Sequence, residues 1–484
     1  MEGTIERAEG LIKSGKNEDA LAALSGFLEG DPDNVRALMD LGVASHKLNR
    51  HGEAEGAFRR ILELEPAHRE AAKSLCLSLL AEGRKEECLE AAESALKGCP
   101  EDHASHAFAA SMYQAAGRPT DARLAVDRAI ELAGIANFDE YQDLRAAISG
   151  LPRPSKVKYR PEVALLCVSG MDNFIHELVK GLSPYCAIKA HVASQPAELL
   201  KAVPGAGVVW LEWGNQMTQA ILAQKDRLRG KQVIVRIHNY EVHDNLVDRL
   251  DFSAATDIVF VCPYLRDLFL QKNLKVPDGC RIHVVHNGID IRRFRYVPRG
   301  DSRKHIAFLA YISYKKDPMV LMHAFAFLAK RHPEAVLHIA GMFQDKRFEI
   351  GMPHFLKESG LSDRAVFYGH ITNADEWLTD KDYVFSSSLL ESQGVGILEA
   401  MSRGCRPLIY NFPGAKDLYL RSQLWTTFDD LEDRFANGQD PKDASDFTAK
   451  FYDRNREIAS WLRIIHGRET VFEDFDFVAY QDAQ

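Results

Sequence analysis

Two glutamates and two glycines stand close together in the stretch ESQGVGILEAMSRG, where Glu391 and Glu399 bracket a glycine-rich turn. The preceding run, YVFSSSLL, predicts a strand, and α/β folds bind ligands at the carboxyl ends of their strands. Glycine at 394 and 396 lets the backbone N–H groups of Gly394, Val395 and Gly396 approach an anion closely. A helix that begins there points its positive end at the same place. The pattern predicts a diphosphate site, although a capping carboxylate beside a tight turn also explains it.

Other residues that could do chemistry follow predicted strands earlier in the chain. His238 comes directly after the apolar run KQVIVRI, and Glu241 follows in the same loop. A lone histidine is ordinarily a polar surface or capped residue, and Glu241 also suits a purely structural role in its loop. Gly170, in VSGMDNF, opens a predicted helix, and a plain strand–helix turn explains this glycine nearly as well.

The stretch WLEWGNQ places polar and aromatic residues at the end of another predicted strand. It contains Trp210, Glu212 and Trp213. Indole rings at such an edge could stack on the flat face of a ligand, but core packing is at least as good an explanation for Trp210.

These candidates must be positioned by an α/β module, because short β-rich runs alternate with helical segments from about residue 160 onward. The first series predicts a Rossmann-like domain over residues 158–298, and the second predicts another over 302–440. Two such units in tandem imply two doubly wound domains that face a cleft. Residues 441–484 contain the helical pattern FTAKFYDRNREIASWLRII, and the linker LPRPSKVKYRP precedes the module.

The first 150 residues carry an internal repeat of 34 residues. Pro32, Pro66 and Pro100 are spaced by that period, and Gly134 holds the next place. The same period relates two further sets, turn-forming residues and small residues: Gly15, Asn49, Gly83 and Gly117, and Ala20, Ala54, Cys88 and Ala122. The spacing resembles the tetratricopeptide repeat, in which pairs of helices stack into an all-α solenoid. This resemblance predicts a solenoid over residues 1–150 that binds a protein partner or, as an equal alternative, a packing arm.

The α/β module resembles glycosyltransferase family 4, which has the GT-B fold of two Rossmann-like domains. The most specific match is the family's pattern E-x(7)-E followed by E-A-M-x-x-G, which stands here from Glu391 through Glu399 to Gly404. HVVHNGIDIRRF matches the family signature before the interdomain linker, and YKKDPMVLMHAFAFLAKRHPEAVLHIAG matches its lysine-containing loop, helix and strand.

The resemblance implies roles for individual residues. Lys316 takes the position of the lysine that binds the diphosphate, where an ammonium group stabilises charge on the departing phosphate. Glu399 would accept hydrogen bonds from the ribose hydroxyls, Glu391 would contact the donor sugar, and His238 would contact the transferring sugar. An acceptor side is expected near four further residues: Gly170, Glu212, Trp213 and Glu241.

The chain also departs from the family pattern. Many members have an arginine five residues before the lysine, where this chain has Tyr311, and Ala310 stands where glycine is usual. No Asp-x-Asp motif ends a strand of the first Rossmann-like unit, so the resemblance implies neither a metal nor a cofactor. It further implies retention of the anomeric configuration, and a C-terminal helix that crosses back onto the first Rossmann-like domain.

Composition excludes several classes of protein. The formal net charge of −9 disfavours a general nucleic-acid binder. Eight cysteines without C-x-x-C pairs argue against a zinc site or a disulfide framework. The N-terminus lacks the pattern of a signal peptide, and no apolar run approaches the roughly 20 residues that span a bilayer. We therefore expect a cytoplasmic protein without a transmembrane segment.

These patterns favour a glycosyltransferase that moves a hexosyl or related group from a nucleotide-diphosphate sugar to a protein or surface-glycan acceptor. In the alternative, Tyr311 marks a catalytically weak, transferase-like adaptor that uses the repeats to bind proteins. A third hypothesis is an O-linked N-acetylglucosamine transferase, which also joins repeats to a GT-B module. Those enzymes are inverting and lack this glutamate spacing, which disfavours them.

Overall fold

The chain divides into two compact units, residues 1–157 and 158–484. The computed structural model describes five stretches of the chain: 2–133, 138–151, 159–172, 174–299 and 304–466. Gly134, most of the first linker (152–158) and the end of the predicted C-terminal segment (467–484) lie outside the described residues. No helix of the described stretches is long and apolar enough to cross a membrane.

The first unit is built from helices joined by short turns, and each helix packs against the next. Within its described residues the helices are α1 Glu2–Lys13, α2 Asn17–Leu28, α3 Val35–Lys47, α4 His51–Leu64, α5 Arg69–Ala81, α6 Lys85–Gly98, α7 His103–Ala115, α8 Pro119–Ala133 and α9 Phe138–Ile148. The odd-numbered helices also contact one another in order. This arrangement is the predicted solenoid of helix pairs.

The 34-residue period follows from local backbone requirements. The turn inside each helix pair has a residue with positive φ, between 59° and 77°, and these residues are Gly15, Asn49, Gly83 and Gly117. The small residues of the second helices are fully buried: Ala20, Ala54, Cys88 and Ala122. A third periodic set, absent from the sequence prediction, caps the first helix of a pair through a side chain: Asn34, His68 and Asp102. The positive-φ turn, the small buried residue and the helix cap thus recur together with the same 34-residue period.

The second unit contains two parallel sheets of six strands each. The strands of the first sheet, in the order β2-β1-β3-β4-β5-β6, are β1 Glu162–Val168, β2 Ala187–Ala193, β3 Val208–Glu212, β4 Gln232–Ile237, β5 Asp257–Phe260 and β6 Arg281–Val284. Those of the second, in the order β12-β11-β10-β7-β8-β9, are β7 Lys304–Leu309, β8 Ala335–Ala340, β9 Ala365–Gly369, β10 Tyr383–Ser386, β11 Arg406–Tyr410 and β12 Leu424–Trp425. Two Rossmann-like sheets are therefore present, as predicted.

Helices connect and cover these strands. Those that follow strands of the first sheet are α10 Ile175–Leu182, α11 Pro196–Leu199, α12 Gln216–Leu222, α13 Lys225–Leu228, α14 Asn239–His243 and α15 Pro263–Gln271. Those of the second are α16 Pro318–Arg331, α17 Lys346–Glu358, α18 Ala374–Trp377, α19 Val395–Ser402 and α20 Phe428–Ala436. The last two helices are α21 Pro441–Tyr452 and α22 Arg454–His466. Helix α21 packs on α19 of the second sheet's domain, whereas α22 packs on α10 of the first sheet's domain.

Two strands, β2 and β12, lack the β-rich run that the sequence analysis used as its signal, and both lie at sheet edges. In β2, AIKAHVA, buried residues are interrupted by exposed and half-buried ones, so it lacks the continuous apolar run of a strand covered on both faces. The other, β12, has two residues. The strands that were predicted correctly include those buried throughout, such as β3, β5 and β10.

The close contact between α3 and α4 in the repeat unit requires a residue without a side chain at position 42, which is Gly42. A Cβ atom there would lie 2.4 Å from the Phe58 ring. Gly42→Ala should therefore destabilise this unit by about 1–3 kcal/mol, the usual cost of overpacking, in urea unfolding followed by circular dichroism. Gly56→Ala is the matched control, since no atom lies within 4 Å of its added Cβ. Equal effects of both substitutions would contradict the packing argument.

Candidate functional site

The second sheet reverses its strand order between β7 and β10, which are direct neighbours. Ligands of doubly wound sheets bind in the crevice at such a switch point. The loop after β7 carries Lys316, and the loop after β10 carries Glu391. The topology therefore brings together two residues that are 75 positions apart in sequence.

Lys316 and Glu391 form an ion pair at this switch point. Glu391 Oε1 also accepts a hydrogen bond from Ser388 Oγ at 2.8 Å, and Ser387 Oγ donates to the Lys316 carbonyl at 2.7 Å. Both charged side chains are partly exposed, at 24% for the lysine and 11% for the glutamate. The serines at the end of β10 thus hold a lysine–carboxylate pair that faces solvent at the sheet edge.

The glycine turn begins α19 without any side-chain cap. Gly394 is the N-cap residue, with φ of 73°, and an added Cβ would meet Tyr419 Oη at 2.7 Å. A Cβ at Gly396 would lie 3.2 Å from the Leu309 carbonyl oxygen, so this glycine also serves the packing of α19 against β7. The first N–H groups of a helix have no acceptor within the helix. Without a side-chain cap, these donors suit an anionic ligand.

Glu399 lies in the second turn of the same helix. The helix begins at Val395, so Glu399 is its fifth residue. Burial raises the pKa of Glu399 to about 7, and nearby Arg293 and Arg454 oppose that rise. The side chain is partly buried, and no hydrogen bond to its carboxyl group is found within the described residues. A carboxyl group with spare acceptor capacity thus stands one turn beyond the glycines.

His238 lies at the carboxyl edge of the first sheet, directly after β4. Its Nε2 is 2.7 Å from Glu212 Oε1, and the imidazole stacks on Trp213 with ring centroids 3.8 Å apart. Phe174 and Tyr240 extend this aromatic cluster, each with its ring centroid 5.8 Å from that of Trp213. The histidine side chain is 7% exposed and is enclosed by these neighbours.

Two of the predicted acceptor residues are buried and do not face solvent. Glu212 has a fully buried side chain, and it also accepts a hydrogen bond from Trp210 Nε1 at 2.9 Å. Glu241 is fully buried and accepts from the Gly214 N–H at 2.9 Å, and burial raises its pKa. In this conformation neither carboxyl group is open to direct contact with a ligand. Glu212 pairs with residues of β3 and β4 and with His238, and Glu241 supports the turn at Gly214.

Trp213 and Gly170 both adopt backbone conformations that matter for the site. Trp213 has a φ of 75°, which is strained for a bulky residue, and its Nε1 donates to the Met171 carbonyl at 3.0 Å. Gly170 has a φ of 86°, and open space surrounds the position of an added Cβ. Phe174 was missed by the sequence analysis, although it follows Gly170 in the quoted stretch VSGMDNF.

Trp210 packs in the core. Its side chain is fully buried, and its ring centroid lies 3.7 Å from that of Trp461 on α22. The structure therefore supports core packing, and not stacking on a ligand, as the role of Trp210. Tyr311, by contrast, is 54% exposed in the loop after β7.

The two sheet edges are joined through a segment that the sequence analysis did not assign to the site. Gln393, next to the glycine turn, is fully buried. Its side chain accepts from the Asn287 N–H and donates to the Asn287 carbonyl, both at 2.7 Å. Asn287 belongs to the N-G-I-D stretch after β6. The signature HVVHNGIDIRRF contains this residue, but nothing in it indicates that Gln393 is its partner. Among the described residues, no group of three or more His, Cys, Asp or Glu side chains is arranged to hold a metal ion.

Comparison with known proteins finds a family match for one segment in each of the two units. Residues 292–422 match the family described as Glycosyl transferases group 1, and residues 5–71 match the tetratricopeptide repeat. The chain carries a group 1 glycosyltransferase domain beside tetratricopeptide repeats. The matched glycosyltransferase segment contains Lys316, Glu391 and the glycine turn.

Curated relatives are similar over part of the chain. A D-inositol 3-phosphate glycosyltransferase of Paenarthrobacter aurescens is 26% identical over 204 residues, which cover 39% of this chain and 48% of the relative. A mannosylfructose-phosphate synthase of Agrobacterium fabrum is 31% identical over 183 residues, 34% of this chain and 38% of the relative. The chain thus spans less than half the length of either relative.

Solved structures support the GT-B fold. The Anabaena protein HepE, crystallised with UDP and glucose, aligns with a TM-score of 0.51 at 14% identity, over 64% of this chain and all of that one. A sucrose-phosphate synthase of Thermosynechococcus elongatus gives the same TM-score at 12% identity, over 63% of this chain and 98% of the other. The α/β unit therefore has the fold that the sequence resemblance predicted.

The raised pKa of Glu399 leads to a prediction about stability. Because its folded pKa of about 7 exceeds its usual value of 4.5, the carboxyl form stabilises the fold and that contribution is lost as pH rises through 7. Glu399→Gln should therefore raise the unfolding temperature at pH 8, by roughly 2–4 °C per 1 kcal/mol relieved, with little gain at pH 5. Thermal unfolding at both pH values measures this difference.

Glu391→Gln serves as the control for this experiment, since Glu391 is held in an ion pair and its replacement should bring no gain at pH 8. An equal gain from Glu399→Gln at pH 5 and pH 8 would contradict the assigned shift.

Proposed function

We propose that this chain is a retaining, metal-independent glycosyltransferase of family 4 that uses a nucleotide-diphosphate sugar. The observation that carries the proposal is the uncapped start of α19 beside the Lys316–Glu391 pair, at the switch point of a GT-B sheet. A helix N-terminus and an ammonium group together suit a diphosphate. HepE, which shares the fold, is described with UDP and glucose.

On the donor side, the N–H groups of Gly394, Val395 and Gly396 would bind the diphosphate, and Lys316 would neutralise charge on it. As the bond between the sugar and the phosphate breaks, negative charge grows on the departing diphosphate, and a fixed cation stabilises that charge. The charge is thus balanced by protein groups, without a metal ion. Glu399, which has free acceptor capacity, would bind the ribose hydroxyls.

On the sugar side, Glu391 would accept hydrogen bonds from the donor sugar, and His238 would contact the same sugar from the first sheet. Ligand binding would compete with the ion pair between Glu391 and Lys316. Each side chain would lose its contact with the other and would contact the substrate instead. In a retaining reaction, the acceptor attacks from the face that the diphosphate leaves. The aromatic cluster around Trp213 lies at the edge that would face this acceptor.

Tyr311 supports a second candidate, a catalytically weak adaptor. Its neutral, half-exposed side chain cannot supply the second cation that many family members place near the diphosphate. The intact set of Lys316, Glu391, Glu399 and His238 favours the working enzyme. The acceptor is proposed to be a protein or a surface glycan, recruited directly or through a partner by the repeats.

A nucleotide screen tests the donor site. Thermal shift and calorimetry against UDP, GDP, dTDP and their sugar conjugates should show binding of one nucleotide family, unchanged by EDTA. Lys316→Met should weaken that binding by about tenfold or more, the loss expected when one charge-assisted contact worth about 1.5–3 kcal/mol is removed. Lys330→Met, on the last turn of α16, is a control that should bind normally. Binding of no nucleotide would favour the adaptor, and loss with EDTA would contradict metal independence.

The proposed role of the repeats has its own test. A chain that lacks residues 1–157 should hydrolyse the donor at an unchanged rate, because the α/β unit contains the whole donor site. Transfer to the native acceptor should fall at least about tenfold if the repeats supply the effective concentration of acceptor. Full transfer by the shortened chain would contradict recruitment. An inverted anomeric configuration in the product, measured by NMR, would contradict retention.

A further inference from the structure

An arginine is completely buried between the two sheet edges of the α/β unit. Arg236 occupies the next-to-last position of β4, two residues before His238, and its side chain has no exposed surface. Its Nη1 lies 3.6 Å from Glu212 Oε1, the same oxygen that lies 2.7 Å from His238 Nε2. The guanidinium group therefore reaches the histidine through one shared carboxylate oxygen.

The other end of the guanidinium group contacts the segment between the two sheets. Arg236 Nη2 donates to Asn287 Oδ1 at 2.7 Å and to Glu457 Oε1 at 3.1 Å. Glu457, on α22, uses its second oxygen to accept from the Gly288 N–H at 2.8 Å. Arg236 thus ties β4 to the loop after β6 and to the C-terminal helix.

The loop after β6 continues the contacts to the glycine turn. Gln393 forms its two hydrogen bonds with the Asn287 backbone, and the Gln393 carbonyl accepts a hydrogen bond from Tyr419 Oη. The next residue is Gly394, the N-cap of α19. We call the five residues Glu212, Arg236, Asn287, Gln393 and Glu457 the Arg236 network.

A network of buried charged and polar side chains is energetically costly if it serves only the stability of the fold. Buried charges lose their hydration, and apolar side chains of similar volume often stabilise a fold more. Two guanidinium nitrogens, Nε and Nη1, have no hydrogen-bond partner within the described residues. What buried polar groups supply is a defined geometry, since each partner must occupy one position for the other to be satisfied.

We propose that Arg236 and Gln393 are positioning residues that connect the glycine turn to His238, so that a diphosphate bound at the turn fixes the histidine in its working orientation. This inference rests on the proposed function, because it assumes that the turn binds a nucleotide diphosphate. Arg236 acts through Glu212 and does not itself touch the sugar. Gln393 acts through Asn287, whose backbone it holds at both the N–H and the carbonyl.

Hydrogen–deuterium exchange on the full-length protein tests the connection. The probe is the nucleoside diphosphate found in the screen, without its sugar, because this ligand lacks the group that His238 would contact. It should slow exchange at residues 391–402 by direct binding. It should also slow exchange by about twofold or more at residues 238–244 and 285–290, through the Arg236 network.

Gln393→Leu should keep the protection at residues 391–402 but lose it at residues 238–244, with nucleotide affinity changed by no more than about threefold. Gln423→Leu is the matched control. Gln423 is also fully buried, bonded through both side-chain groups and part of the second sheet's domain, but it lies outside the network. This control should transmit protection as the unaltered protein does.

Arg236→Lys is the second variant, for the case that Gln393→Leu does not fold. Lysine keeps the positive charge but lacks the planar fork that reaches Asn287 and Glu212 together, so the spread of protection should again be lost. Arg364→Lys is its control, since Arg364 binds backbone carbonyls within the second sheet's domain.

The outcomes separate the two proposals. Protection at residues 391–402 alone, in the unaltered protein, would overturn the positioning role and leave the proposed function standing. Spread of protection that persists in both Gln393→Leu and Arg236→Lys would do the same. Absence of protection at residues 391–402 with every nucleoside diphosphate would overturn the proposed function and, with it, this inference.

Discussion

The α/β unit depends on the contact between the loop after β6 and the start of α22, where the chain passes twice between the two sheets. Ile289 and Asp453 form a parallel bridge, with backbone hydrogen bonds from Ile289 to Tyr452 at 2.6 Å and from Arg454 to Ile289 at 3.0 Å. A Cβ on Gly288 would lie 2.4 Å from the Arg454 Cα, so only glycine permits this approach. The backbone contact sets where each sheet edge stands, and every candidate ligand group is carried by one of those edges.

The sequence predicts the fold where a single physical rule decides it. Strands buried on both faces need continuous apolar runs, and repeated helix pairs need a positive-φ turn and a small contact residue at a constant period. The edge strands β2 and β12 escape prediction because partial exposure of one and the shortness of the other remove that signal. The caps at Asn34, His68 and Asp102 had the right period, but their differing side chains concealed it.

The candidate site likewise has a part that the sequence predicts and a part that it does not. Lys316, Glu391 and the glycine turn follow strand ends, and strand order alone places them at one edge. The partners that satisfy the buried carboxyl groups of Glu212 and Glu241 are distant in sequence, and no local pattern reports them. Contacts such as Arg236 with Glu457, 221 positions apart, or Asn287 with Gln393, 106 apart, arise only when both sheets and α22 are assembled. Motif recognition finds the candidate ligand groups but not the residues that hold them.

Several costly features of the fold lie at these edges. Trp213 holds a strained backbone, Glu399 is kept where burial favours its neutral form, and Arg236 is buried with two nitrogens unbonded within the described residues. Strain and buried polarity of this kind persist where a ligand or a fixed geometry requires them. That three such features lie beside the candidate ligand groups argues that the α/β unit carries the chemistry.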